Sequence, residues 1–209
     1  MSFSYEKMMK EQIKKAIENY NKIAKVYADH TSEKLLQFQL NKFISLLPKS
    51  AKVLDIGSGS GRDMAYLQEE GINVIGIDIS DGLIKEAKSR FNNLNIQKID
   101  FRKTSFKASE FNGLWCMASL SDIQKAEAPK TLKEFHRILK KEGILYIAVK
   151  EGTEEKIIKK TRYNTERFYS FYTLPELELL LKNANFEILS AIVSQDRLTS
   201  WVEIFAKKL

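Results

Sequence analysis

The chain has 209 residues, 44% of them apolar and 29% charged, with a formal net charge of +7. That balance excludes a disordered chain and fits one globular domain with a sizeable core. No apolar run approaches the roughly 18–20 residues that span a bilayer. Charge enters MSFSYEKMMKEQIKK too early for a signal peptide, and the single cysteine, Cys116, excludes an internal disulfide, so a cytoplasmic protein is expected.

Near the N-terminus Ile13, Ile17, Tyr20, Ile23, Ala24 and Tyr27 recur at helical spacing, and a second amphipathic stretch runs from about Ser32 to Leu47 before Pro48 ends it. Beyond Pro48 short strands alternate with helices. KVLDI, NVIGID, NIQKI, GLWCMAS and GILYIAV read as strands, with helices expected over Arg62–Glu70, Asp81–Phe91 and Lys125–Lys140. Such alternation predicts a parallel sheet covered on both faces. Thr173, Pro175 and Glu176 announce a last helix over Leu174–Asn183 through a capping box. FEILSAIVS and SWVEIFAK follow, joined so briefly at Gln195–Thr199 that they must pair antiparallel. The expected fold is α/β: a doubly wound, mostly parallel sheet closed by an antiparallel C-terminal hairpin. Residues 1–48 form a helical segment ahead of a sheet-bearing unit over 49–209, within one compact domain.

The stretch VLDIGSGSGRD bares its backbone where the first strand turns into a helix. In a doubly wound sheet, ligands sit beyond the carboxyl ends of the strands. Gly57, Gly59 and Gly61 can take dihedrals closed to other residues and offer no Cβ to a ligand, while the helix opening at Arg62 adds free N–H groups. Acids mark successive strand ends at Asp55, Asp78 and Asp100. A carboxylate at Asp78 can accept from both hydroxyls of a ribose. The dinucleotide fingerprint would place its third glycine at position 62, which holds Arg62. Asp55 would disfavour a pyrophosphate and suits a cation, so an adenosine carrying an ammonium and a sulfonium fits this rim better than NAD.

These residues resemble the class I S-adenosylmethionine-dependent methyltransferases from about Tyr20 to the C-terminus. VLDIGSGSGRD is similar to the family's glycine-rich motif and GIDIS to its ribose-binding acid, with Ile79 against adenine. Asp100–Phe101 resembles the next motif, EFNGLWCMASL the fourth strand, and LKEFHRILKKEGILYIAV the helix and fifth strand. The resemblance implies a seven-stranded Rossmann-like sheet and S-adenosylmethionine as methyl donor, leaving S-adenosylhomocysteine. It also implies a donor site at Tyr20, Tyr27, Asp55, Gly57, Ser58, Gly59, Arg62, Asp78, Ile79, Asp100, Phe101, Ala118 and Ser119. ENYNKIAKVYADHT resembles the segment whose tyrosines fold over the donor, making residues 1–48 a lid. Asn112 and Glu142 depart from the pattern, and Asp122 stands where many relatives carry His, so no catalytic base carries over.

Acceptor groups are expected from the loops after strands four and five. Candidates are His30, Asp122, Lys150, Arg167, Tyr169 and Tyr172. The run RFYSFYT can wall a pocket or anchor a connection on the sheet, and both readings stand. Cys116 lies mid-strand in an apolar run, as a buried structural thiol does. Two histidines and one cysteine make no soft-metal cluster, and no metal is expected. The leading expectation is methyl transfer to a small-molecule acceptor. The +7 charge keeps a tRNA- or nucleic-acid-modifying enzyme as an alternative, although its densest stretch, residues 130–162, falls largely at solvent-side positions. A non-catalytic donor-binding protein is the third.

Overall fold

The computed structural model describes residues 3–196 and 199–209; the side chains of residues 3–10, 12 and 13 lie outside the description, Ile13 of the helical pattern among them. Helix α1 (Phe3–Thr31) and the short α2 (Gln37–Ser45) precede the sheet. Strands β1 (Lys52–Ile56), β2 (Asn73–Asp78), β3 (Ile96–Lys98), β4 (Phe111–Met117) and β5 (Leu139–Lys150) alternate with α3 (Arg62–Glu69), α4 (Asp81–Arg90) and α5 (Ala128–Ile138). After β5 come β6 (Glu155–Lys160), β7 (Thr165–Ser170), α6 (Leu174–Asn183), β8 (Phe186–Asp196) and β9 (Thr199–Lys208).

The main sheet has seven strands in the order β3-β2-β1-β4-β5-β9-β8. The first five run parallel, and β9 enters antiparallel to both β5 and β8. Strand order reverses between β1 and β4, so the crevice for a ligand opens where β1 ends. Residues 197 and 198, inside the expected hairpin connection, lie outside the described residues.

Side-chain alternation sends the two faces of each strand into separate cores. Leu54, Ile56, Leu114, Cys116, Leu145 and Ile147 pack with Leu132 and Phe135 of α5 and Leu177 of α6. Val53, Trp115, Tyr146 and Ala148 face the other way, against Phe43 of α2 and Met64 and Leu67 of α3. Trp115 stacks on Tyr146 with centroids 4.1 Å apart and donates its indole N–H to Asp63 at 3.0 Å. Its polar end is thereby satisfied inside a fully buried site. Cys116 is buried, and desolvation pushes its thiol up to about 12, which leaves it inert.

Two local expectations change. The helix expected over Lys125–Lys140 is a 3-10 turn (Lys125–Glu127) followed by α5, and β5 already begins at Leu139. Within that long strand Glu142, one of the two positions that depart from the resembled pattern, takes φ +61, a conformation that glycine adopts without strain. The charged stretch after β5 also has structure of its own: β6 and β7 form a separate antiparallel pair, with Lys156 opposite Tyr169 and Ile158 opposite Arg167.

Helix α1 docks where it matters for the site. Asn21 accepts from Ser80 Oγ and from the Gly82 N–H, both at 2.8 Å, across the start of α4. A Cβ at Gly82 would meet Asn21 Cα at 2.8 Å, so only glycine permits that approach. On its other flank α1 meets β7, where Asn19 donates to the Glu166 carbonyl at 2.6 Å and Lys15 pairs with the Glu166 carboxylate at 2.9 Å.

Candidate active site

The turn after β1 is built around Gly57, Gly59 and Gly61, all at positive φ. At Gly57 the constraint is steric as well as conformational: a Cβ there would lie 2.1 Å from Ser119 Oγ. Ser119 follows β4, and its hydroxyl donates to the Ile56 carbonyl at 2.7 Å, which locks the two strand ends together. The Gly59 N–H donates to Asp78 Oδ2 at 2.9 Å and the Ser80 N–H to Oδ1 at 2.8 Å. These bonds fix the carboxylate at the rim. Ser80, not Asp78, caps α4, accepting from Leu83 N.

Asp55 is 3% exposed, and its Oδ2 has no partner among the described residues. Burial, then the neighbouring Asp63, raise its pKa well above the ordinary carboxylate value, with Arg62 opposing. Asp78 is also raised, by burial, against the pull of its backbone hydrogen bonds. Asp100 goes the other way. Burial opposes its ionisation, but side-chain and backbone hydrogen bonds from Arg102 hold it below its usual value. The rim is thus acidic and holds a buried oxygen in need of a donor, an arrangement suited to a ligand with hydroxyls and a cation.

The opposite wall comes from α1, the turn after β4, and β7. Tyr20 donates its hydroxyl to Asp122 Oδ2 at 3.1 Å. The Arg167 guanidinium bonds the same hydroxyl, lies 3.4 Å from Asp122 Oδ1 and stacks 4.4 Å over the Tyr20 ring. Tyr27 meets Tyr20 edge-on with centroids 5.6 Å apart. Burial, and next the charge of Asp78, push Asp122 up to about 8, with Lys150 opposing. Burial lowers the pKa of Arg167, whose Nε is buried without a partner among the described residues.

Twelve of the candidates line one open-mouthed cleft with an empty volume of ≈ 830 Å³: Tyr20, Tyr27, Gly57, Gly59, Asp78, Ile79, Asp100, Phe101, Ala118, Ser119, Asp122 and Arg167. The others stand outside its lining. Asp55 and Ser58 belong to the strand end and loop beside it. Arg62 turns to the Thr31 carbonyl at 2.9 Å and to Asp63 at 2.6 Å, tying the end of α1 to α3. His30 contacts Lys34 at 3.0 Å and the Tyr163 ring. Tyr169 is buried against Arg167, with Lys150 4.1 Å over its ring. Tyr172 is fully buried in the core beside α6, so RFYSFYT divides residue by residue between site wall and sheet anchor.

Ala16, Ile17, Leu83, Arg102, Met117 and Ile123 complete the lining and were missed from sequence. Ala16 and Ile17 precede Tyr20 by four and three residues on one helix face, a signal that was present. Arg102 follows Asp100 by two, the spacing of the turn it closes. Among the described residues no helix is long and apolar enough to cross a membrane, and no His, Cys, Asp and Glu cluster could hold a metal.

A family model described as a methyltransferase domain matches residues 27–191, well over half of the chain. The carboxy-S-adenosyl-L-methionine synthase of Nautilia profundicola is 23% identical, covering 94% of this chain and 98% of that one. The ubiquinone/menaquinone biosynthesis C-methyltransferase of Campylobacter jejuni is 27% identical, covering 84% and 90%. In fold, the chain matches the 1,6-didemethyltoxoflavin-N1-methyltransferase of Burkholderia thailandensis, solved with S-adenosylhomocysteine, at a TM-score of 0.76. Identity to it is 20%, with 100% and 91% of the two chains covered. With the strand-end acids, the bare glycine turn and the seven-stranded sheet in place, the chain belongs to the methyltransferase-domain family and is an S-adenosylmethionine-dependent methyltransferase.

Proposed function

We propose that this protein transfers the methyl group of S-adenosylmethionine to a small-molecule acceptor. The observation that carries the reading is the continuity of one cleft, from Gly57, Gly59, Asp78 and Asp100 at one end to Tyr20, Asp122 and Arg167 at the other. The names of the Campylobacter and Burkholderia relatives point to small acceptors as well.

In this reading Asp78 takes the ribose hydroxyls, Ile79 and Phe101 flank the adenine, Asp100 faces its amino group, and the free oxygen of Asp55 receives the ammonium. The bound donor supplies an activated methyl group on a sulfonium. The protein's own task is positioning, which contributes about 7–11 kcal/mol of barrier lowering when reacting atoms are held in line. Tyr20, Tyr27 and Arg167 orient the acceptor, and α1, with residues 1–48, covers both ligands as a lid. Asp122, held by Tyr20 and Arg167 at the acceptor end with an elevated pKa, takes the proton of an acceptor hydroxyl or ammonium once it is ionised. A cytoplasmic location belongs to the same reading.

The test is direct. Purified protein is titrated with S-adenosylmethionine and S-adenosylhomocysteine by calorimetry, then incubated with donor and acceptor panels under mass detection. Saturable binding and S-adenosylhomocysteine release with a methylated acceptor are expected. Donor binding without turnover on any panel would leave a non-catalytic binding protein. Binding of bulk tRNA that weakens steeply with salt would move the acceptor to nucleic acid. The full-length likeness to the carboxy-S-adenosyl-L-methionine synthase favours a second reading, in which the donor itself is remodelled. Its signature would be a sulfonium product heavier by one CO2, a carboxyl replacing a methyl hydrogen, formed only when a carboxylic-acid co-substrate that can give up its carboxyl group is supplied.

A further inference from the structure

Beside the acceptor end of the cleft three cations gather on one buried ring. Lys150 Nζ lies 4.1 Å, the Arg167 guanidinium 4.9 Å and Lys160 Nζ 5.0 Å from the centroid of Tyr169. They come from the end of β5, the middle of β7 and the end of β6, so only the folded chain brings them together.

The carboxylates of the β6–β7 pair and of the turn leading into it are committed elsewhere, and Asp122 is the acid whose charge acts on Lys150. Glu154 pairs with Lys156 at 2.7 Å, Glu155 accepts from the Lys125 N–H and from Ser170, and Glu166 pairs with Lys15. Among the described residues neither Lys150 nor Lys160 is ion-paired with an acid. Arg167 touches Asp122 only at 3.4 Å, and its Nε is buried without a partner. Stacking on Tyr169 needs one cation, not three, and like charges this close are costly away from bulk water. Lys150 responds accordingly: burial, then Lys160, push its ammonium down to about 8, with Asp122 opposing and Lys34 adding to the effect.

We propose that Lys150, Lys160 and Arg167 form an oxyanion subsite, so that the acceptor carries a carboxylate or phosphate monoester besides the atom that is methylated. The inference rests on the methyltransferase reading for the adjoining cleft, since Arg167 belongs to both. Two lysines supply mobile point charges and Arg167 a fixed donor fork, a combination that recognises oxyanions. The committed acids mean that an incoming anion displaces no internal ion pair from the lysines.

The protein saturated with S-adenosylhomocysteine is titrated by calorimetry with inorganic phosphate and, separately, with acetate, at constant ionic strength set by chloride. Saturable binding of at least one probe is expected. It should weaken about tenfold or more in Lys150→Gln and Lys160→Gln, recover in Lys150→Arg, and stay unchanged in the control Lys130→Gln. S-adenosylhomocysteine affinity should be the same in all four variants, which shows that they fold. Turnover on matched pairs (a carboxylate and its amide, a phosphate monoester and its free alcohol) should favour the anionic member, and which pair responds identifies the source. No saturation by either probe in protein that binds S-adenosylhomocysteine overturns the subsite alone. So does weakening that Lys130→Gln reproduces, or dependence on Lys160 seen for RNA but not for phosphate. Failure of the protein to bind S-adenosylhomocysteine would instead remove the reading beneath it.

Discussion

The Tyr20 hydroxyl donates to Asp122 Oδ2 at 3.1 Å, joining the N-terminal helix to the turn after the fourth strand across 102 residues of chain. Removing the hydroxyl in Tyr20→Phe should cost about 0.5–1.5 kcal/mol of stability and reduce turnover with little change in donor affinity. Chemical denaturation and donor titration on one preparation separate the two effects.

Asp122 gives a pH signature. Its pKa is raised from 3.8 to about 8, so the folded chain holds a proton that the unfolded chain releases. Its contribution to stability is therefore full below pH 4 and is lost as pH rises through about 8. Asp122→Asn should gain on the parent as pH climbs from about 4 to about 8 and keep a constant lead above that, with no such divergence in stronger acid. If Asp122 is the base, the activity of the parent rises through the same range, and the variant loses both that limb and about 10²- to 10⁴-fold in rate. Melting curves and rates between pH 5 and pH 9 check both.

Asp78 should dominate the donor site. Hydrogen bonds to a charged group are worth about 1.5–3 kcal/mol, so Asp78→Ala should weaken donor binding roughly 10- to 150-fold. The variant also frees the Gly59 and Ser80 N–H groups that the carboxylate now accepts from, so some local stability goes with it. Calorimetry showing unchanged affinity in a folded variant would place the donor elsewhere.

Which features could be read in advance follows from how local their physics is. The strands declare themselves by β-branched runs between glycine and acid punctuation, and the antiparallel end follows from one short connection. Ser80 as a cap and Thr173–Glu176 as a capping box are equally local. In RFYSFYT the alternation of Phe168 and Phe171 with Tyr169 and Tyr172 reads as that of a half-buried strand, but its partner β6 was illegible because EKIIKK carries its apolar residues in tandem, and only cross-strand pairing makes the two a sheet. Arg62 fits the glycine loop by position, yet its side chain answers to Thr31 and Asp63, which only the packing of α1 brings near. Tyr169 and Tyr172 are three apart in one aromatic run and end in different surroundings because the chain leaves β7 between them.

Gly57 should tolerate nothing larger. Alanine would hold φ +68 at a cost of about 1–2 kcal/mol, and its Cβ would press on Ser119 Oγ at 2.1 Å and Cβ at 2.8 Å. Overpacking of this kind adds about 1–3 kcal/mol. Gly57→Ala should thus lose both stability and donor binding. Adding Ser119→Ala should recover little, because the second clash stays, whereas Ser119→Gly should recover the steric part and leave the conformational cost. Denaturant midpoints of the three variants distinguish these outcomes.

Donor binding should release protons. Burial raises both Asp55 and Asp78 above the ordinary carboxylate value in the free protein. A cationic ligand beside the unpartnered oxygen of Asp55 favours the ionised form, which lowers that pKa again. Affinity for S-adenosylmethionine should therefore rise with pH until Asp55 ionises without help. Binding heats measured at one pH in buffers of different ionisation enthalpy should differ by the protons expelled. In Asp55→Asn that difference should shrink, because an amide has no proton to give up, while the ribose contact at Asp78 persists. Equal heats in every buffer with the parent protein would mean that the ammonium does not sit against Asp55.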